Sequence, residues 1–183
     1  NDTATTDIYT SLFVGSVRGV YETDTKNALI IRPSIVIGDG DQFLRKIIPI
    51  IKYFLLIPLF GGGEAKLQPV FVDDVANAIE VVLEKNGKHS DIYELVGSEI
   101  FTYRSLYQFI SNSLGLKRKF IPISFGLANI AVSIIEKTPL NLITKDQLLL
   151  FKQDNISNNE HKNFKNLGIL TNDVREIIKK IIN

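Results

Sequence analysis

The strongest constraint in this sequence is a short apolar run, Leu29-Ile30-Ile31, that stops at Arg32-Pro33. A brief aliphatic run without polar alternation suits a strand covered on both faces, as in a parallel sheet flanked by helices. Pro33 has no N–H to donate to a ladder, so the strand should end or bulge there.

The residues that follow extend an α/β pattern. Gly38-Asp-Gly-Asp41 reads as a turn, with Asp41 the N-cap of a helix carrying Phe43, Leu44, Ile47 and Ile48. The apolar stretch from Ile47 to Phe60 reads as a buried helix leading into a turn. It falls short of the ~20 residues a bilayer crossing needs, and Pro49, Lys52 and Pro58 interrupt it. Gly61-Gly-Gly63 closes that segment. Leu67 to Val72 is a second strand, with Asp73 or Asp74 capping a helix whose Val75, Ala78, Ile79, Val82 and Leu83 share one face.

Asp91 to Val96 is another strand. Thr102 opens a helix through Leu106, Phe109, Ile110 and Ser113 to Leu114, ended by Gly115. Phe120-Ile121 is a short extended piece, followed by an apolar helix from Phe125 to Ile135. Thr144-Lys-Asp-Gln147 matches a capping box and starts a helix through Leu148 and Phe151. A last helix from about Asn172 to Ile182 aligns Val174, Ile177, Ile178 and Ile181. Upstream, Asn1 to Thr10 is a lead-in without apolar period, and Gly15 and Gly19 weaken any helix over Leu12 to Tyr21. Strands early and helices late fit an α/β sheet whose later chain builds a helical lobe.

At 183 residues the chain amounts to one domain or most of one. A net charge of +1 gives no overall case for nucleic acid or for an anionic membrane surface. The absence of cysteine excludes disulfides and thiolate metal sites and leans toward the cytoplasm. The absence of methionine means residue 1 is not an encoded start as written, which suggests a fragment or a trimmed chain. Asn1 to Asp7 lacks the basic start and apolar run of a secretory signal. His89 and His161 stand in polar stretches without metal-ligand spacing and read as surface residues.

Arg32-Pro-Ser-Ile-Val-Ile-Gly38, with Val72-Asp-Asp-Val-Ala76 downstream, resembles the extended short-chain dehydrogenase/reductase group, the NAD-dependent epimerase/dehydratase superfamily. Leu29 to Asp41, Pro58 to Ala78 and Tyr93-Glu-Leu-Val-Gly97 resemble more closely its atypical branch, related to the complex I accessory subunit of the alpha-subcomplex subunit 9 type. Thr144-x-Asp-Gln147 and Asp154-Asn155 resemble that branch too. The resemblance covers residues 28–183, the C-terminal part of such a domain, after a divergent lead-in over 1–27. The helical lobe lies mainly in 41–66 and 116–183.

The resemblance implies a Rossmann-like doubly wound parallel sheet with NADP or NAD across the carboxyl ends of its strands. It places Arg32, Pro33, Ser34 and Ile35 at the nicotinamide end of the cofactor, and Gly38, Gln68 and Pro69 at the substrate pocket. Relatives acting on nucleotide sugars often carry an arginine near position 68 to hold a phosphate. Gln68 is neutral and speaks against such a substrate; a structural bond to a neighbouring loop is its plainer role. Asp73 and Asp74 read as cap plus solvent, and Gly61 to Gly63 as a turn.

Active members pair a tyrosine acid/base with a lysine four residues on, because a phenol near pKa ~10 needs help at neutral pH. Here Tyr9 is followed at that spacing by Phe13 and Tyr21 by Thr25, and no Gly-x-x-Gly-x-x-Gly is present. No catalytic residue is assigned. The resulting expectation is an NAD(P)-binding protein with a structural or assembly role, partnered by respiratory complex I or another protein. It would be cytoplasmic or peripheral at the inner membrane, with no transmembrane segment and no nucleic acid partner. Cofactor binding is expected to be weak or absent without the N-terminal half. The competing readings are an NAD(P)-dependent epimerase, dehydratase or reductase whose catalytic half lies upstream, and a relic that does not fold alone.

Overall fold

In the computed structural model, residues 29–84, 91–135 and 145–182 are described. The apolar run forms β1 (Ile30–Pro33), which pairs in parallel with β6 (Ile92–Leu95), Ile30 opposite Ile92 and Pro33 opposite Leu95. Every residue of β1 is half-buried, where the sequence suggests cover on both faces. Among the described residues β6 is its ladder partner on one edge, so the second flank that a central parallel strand would have is not among them.

The expected second strand is broken in two. β2 (Val36–Ile37) runs parallel to β5 (Val70–Phe71), while β4 (Lys66–Leu67) pairs antiparallel with β7 (Phe101–Thr102). The break falls at Gln68-Pro69, where Pro69 has no N–H and the Gln68 N–H donates sideways to the Asn155 carbonyl at 3.0 Å. These parallel strands and their helices make the chain a Rossmann-like α/β fold.

α1 (Gln42–Tyr53) starts at Asp41, whose carboxylate accepts from the Leu44 N–H at 2.7 Å. Phe43, Leu44, Ile47 and Ile51 form its buried stripe, and Pro49 is accommodated on the exposed face. The expectation of a buried helix through Phe60 is corrected here. The helix stops at Tyr53, Leu56–Phe60 is β3, and Tyr53, Phe54, Leu55 and Leu56 are exposed. β3 alternates, with Ile57 and Leu59 inward, because it pairs in parallel with β8 (Lys119–Ile123) over one face of the core. A 3₁₀ turn at Gly61–Gly63 follows.

α2 (Val72–Glu84) begins earlier than expected and buries Asp74, Ala78 and Val82, while Ile79 and Leu83 are exposed. α3 (Tyr103–Ser113) opens on Thr102 with a reciprocal cap to Ser105, as the sequence suggests, and turns off at Gly115, whose φ is 68°. α4 (Phe125–Ile135) has the expected bounds. α5 (Lys145–Leu150) is present, whereas its expected cap, Thr144, lies outside the described residues. Sequence periodicity missed α6 (Phe164–Leu167), a single turn capped by Asn163. α7 (Val174–Ile182) buries Val174, Ile177, Ile178 and Ile182.

The largest core joins α1, β3, α3 and α7 through Leu44, Ile51, Leu59, Leu106, Ile110 and Ile178. A second core lies under β1 and β6, where α2 and α6 supply Ala78, Val82, Phe164 and Leu167. The first core also takes in Ile35, Ile37, Leu67 and Phe101 from the short strands, so strands and helices share it. No helix among the described residues is long and apolar enough to cross a membrane.

Asp41 supplies a pH-dependent test of the α1 cap. Burial raises its pKa above the ordinary carboxylate value, and hydrogen bonds from Leu44, Gly38 and Phe43 and the charge of Arg45 oppose the shift without cancelling it. A raised folded-state pKa means that this contribution is full at acid pH and lost as pH climbs through the folded value. Asp41→Asn keeps an acceptor for Leu44 and carries no charge. It should therefore melt at or above the parent at neutral pH and lose that advantage below about pH 4. Asp41→Ala should cost about 1 kcal/mol, a drop of roughly 2–4 °C. Thermal melts of the three proteins across this pH range check both outcomes.

Candidate functional site

The carboxyl end of β1 is held by main-chain and side-chain bonds from three directions. The Ser34 N–H donates to the Leu95 carbonyl at 3.1 Å, and its hydroxyl donates to the Asn155 carbonyl at 3.1 Å. Ser34 is 2% exposed, so the hydroxyl needs that partner. The Ile35 carbonyl accepts from the Val70 N–H at 2.9 Å, which joins β1 to the β2–β5 pair. Arg32 lies half-buried in β1 with Glu94 as its register partner, and Pro33 closes the strand.

Gln68 is the crossing point. Its Nε2 donates to the Gly97 carbonyl at 2.8 Å, and its Oε1 accepts from the Ser157 N–H at 3.2 Å. Its main-chain carbonyl accepts from the Gly97 N–H at 3.3 Å. Both ends of the side chain are thus engaged with neighbouring loops, which is the plainer role considered for it. Pro69 is buried directly beneath Gly97: a Cβ at position 97 would lie 1.8 Å from the Pro69 oxygen.

Residues 154–157 complete the cluster. Asp154 Oδ1 accepts from the Lys66 N–H at 2.8 Å, and the Asn155 N–H donates to the Lys66 carbonyl at 2.7 Å. Ser157 Oγ donates to Glu94 Oε2 at 2.6 Å and accepts from the Asn159 N–H at 3.0 Å. Ser34, Ile35, Gln68 and Pro69 are therefore drawn together at one end of the sheet. Gly38 is held elsewhere, against α2, where a Cβ would come within 2.5 Å of Val72 Cγ1.

Asn155, Ser157 and Gly97 carry much of this arrangement, and sequence reasoning assigned them no site role. Asp154-Asn155 and Tyr93 to Gly97 were visible only as matching strings. No periodicity marks single residues that bond through irregular backbone.

The expectation that Asp74 is a solvent-facing cap is corrected. Asp74 is 4% exposed and accepts from both the main-chain N–H of Asn172, at 2.9 Å, and its Nδ2. It ties the start of α2 to the lead-in of α7. Burial pushes the phenols of Tyr103 and Tyr107 well above the ordinary value, the nearby Tyr103 adding to the shift at Tyr107. No group of three or more metal-binding side chains occurs among the described residues. His161 is half-buried rather than freely exposed, while Tyr9, Phe13, Tyr21, Thr25 and His89 lie outside the described residues.

For a dinucleotide, the fit is partial. At the close of β1, Arg32 and Pro33 are half-buried, whereas Ser34 and Ile35 beyond them are 2% and 3% exposed, so the surface a nicotinamide ring could meet there is that of Arg32 and Pro33. The glycine-containing turn from β2 into α1, Gly38 to Asp41, is capped by the Asp41 carboxylate, which takes the Leu44 N–H and would repel a phosphate, and no Gly-x-x-Gly-x-x-Gly turn occurs among the described residues.

Residues 16–95 match the NAD dependent epimerase/dehydratase family. The chain is similar to NADH dehydrogenase (ubiquinone) 1 alpha subcomplex subunit 9, mitochondrial, of Arabidopsis thaliana, 27% identical over 158 residues. That alignment takes in 81% of this chain and 39% of the relative. The protein of the same name in Dictyostelium discoideum is 29% identical over 153 residues, 82% of this chain and 43% of the relative. The chain thus spans about two fifths of the length of these relatives. A human epimerase family protein solved with NADPH superposes with a TM-score of 0.61 at 17% identity, covering 84% of this chain and 48% of that one. At that identity the likeness speaks to the fold.

Two substitutions test the geometry. Gly97→Ala places a methyl group into the Pro69 carbonyl, which is backbone and cannot rotate away. It should cost ~3 kcal/mol or more and lower the urea midpoint accordingly. Gln68→Glu keeps the acceptor for Ser157 but sets an ionised oxygen against the Gly97 carbonyl. It should lose about 1–3 kcal/mol at neutral pH. Part of that loss should return on acidification, because the introduced carboxyl is favoured in its protonated, donating form; urea titrations at several pH values read this directly.

Proposed function

We propose that this chain supplies the nicotinamide-side half of an NAD(P) site of the epimerase/dehydratase type and uses it to hold nucleotide rather than to turn it over. Arg32, Pro33, Ser34 and Ile35 would line the cofactor, with Gly38, Gln68 and Pro69 toward the substrate side. The observation that carries this reading is the state of the polar groups at the strand end. The Ser34 hydroxyl and both ends of the Gln68 amide are engaged within the fold itself. Groups fixed in this way can shape a binding surface but are poorly placed to relay a proton.

The bound group would supply its own redox chemistry; the chain's part is to orient it and to exclude water from one side. The role we assign is structural or assembly-related, in association with respiratory complex I or a comparable partner, peripheral to the inner membrane. The similarity to alpha-subcomplex subunit 9 proteins supports that setting. Residues 28–183 would act as the C-terminal part of the domain, with 41–66 and 116–183 as its helical lobe.

A thermal melt of the 183-residue chain with millimolar NADPH or NADH tests the proposal. A ligand that binds only the folded form at a hundredfold excess over its Kd adds about 2.7 kcal/mol. The expected result is a cooperative transition raised by one of the two nucleotides. A cooperative melt indifferent to both would count against binding by this chain. Oxidation of NADPH with a carbonyl or sugar substrate, once the upstream portion is supplied, would favour the enzymatic reading instead.

A further inference from the structure

The loop between α1 and β3 presents four large apolar side chains in a row to solvent. Tyr53 is 82% exposed, Phe54 59%, Leu55 69% and Leu56 54%. Ile50 on the last turns of α1 and Ile121 on β8 extend the same surface, each more than 40% exposed. The register of β3 and β8 sets Leu56 beside Lys119 and Pro58 beside Ile121, all four exposed. Singly exposed apolar residues are ordinary, but a contiguous patch of this kind marks a contact surface.

Its charge is one-sided. Arg118 reaches across to the end of α1, where Nε donates to the Ile51 carbonyl at 2.6 Å and Nη2 to the Lys52 carbonyl at 2.8 Å. The Lys119 N–H donates to the Leu55 carbonyl at 3.0 Å. These bonds bring Lys52, Lys117, Arg118 and Lys119 around the apolar loop, and the three lysines are exposed. None of α1, β3, α3, β8 or α4 contains an Asp or Glu. The chain as a whole carries only +1, so this region is a local concentration of positive charge that the total conceals.

We propose that the Tyr53–Leu56 loop and its cationic rim dock on the surface of a bilayer containing anionic phospholipid. Phe54, Leu55 and Leu56 would enter the headgroup–acyl boundary and Tyr53 would sit at the interface. Lys52, Lys117 and Lys119 would meet lipid phosphates. A protein partner fits less well, because lysine is depleted from protein–protein interfaces while aromatic tips ringed by lysine suit a membrane surface. The proposal gives a physical means to the peripheral location suggested above and is independent of nucleotide binding.

The test is flotation of the 183-residue chain with phosphatidylcholine vesicles, with and without phosphatidylglycerol. Binding should rise about tenfold or more with the anionic lipid and weaken as salt shortens the Debye length. Phe54→Glu with Leu55→Glu should reduce binding at least tenfold while leaving the melt unchanged. Lys117→Glu with Lys119→Glu should abolish the preference for phosphatidylglycerol. The chain has no tryptophan, so Phe54→Trp gives a local reporter whose emission should shift to the blue on anionic vesicles. Equal binding to both vesicle types, no emission shift, or concentration-dependent self-association abolished by the same Phe54 and Leu55 changes without vesicle binding would each overturn the proposal. A nucleotide-shifted melt with no vesicle binding would sink this inference alone. Vesicle binding with a nucleotide-indifferent melt would sink the nucleotide reading alone.

Discussion

The main-chain carbonyl of Asn155 accepts from the Ser34 hydroxyl and from the main-chain N–H of Gln68, and the rest of the candidate site depends on that shared acceptor. Ser34 leaves β1, Gln68 separates β4 from β5, and Asn155 belongs to a late stretch of irregular chain. Three segments far apart in sequence are therefore brought to one point at the carboxyl end of the sheet. Gly97 allows it, since only a residue without a side chain lets the loop after β6 lie on the Pro69 carbonyl.

The polar bookkeeping around this point is complete: no buried side-chain nitrogen or oxygen among the described residues lacks a partner. In a region of low dielectric, each unmet polar group would cost about 1–3 kcal/mol. Satisfying them within the fold stiffens the strand end. Asp74 repeats the theme. A carboxylate that reads as a surface cap is spent on Asn172, and so α2 is fastened to the helix that closes the chain.

The helices were the more legible elements. Amphipathic spacing located α1, α3 and α7, and the caps at Asp41 and Thr102 fell where local side-chain chemistry put them. Such features are decided within a few residues. The stretch from Ile47 to Phe60 was misread because an apolar run looks alike as buried helix or as helix end, loop and strand. The contact of β3 with β8 decides between them, and it spans about sixty residues of sequence. The same limit hid the roles of Gln68, Asn155 and Ser157, whose bonds to Gly97, Ser34 and Glu94 span 29 or more positions.

By itself the sequence determined the α/β character of this protein, its likeness to the epimerase/dehydratase group, and the residues at the end of β1. Each of these is carried by local pattern or by contiguous strings. Tertiary structure alone decided that Gln68 is a brace, that Asp74 is buried, and that Tyr53 to Leu56 face outward. Burial and hydrogen-bond satisfaction are properties of what the folded chain places beside a residue, and no local pattern encodes them.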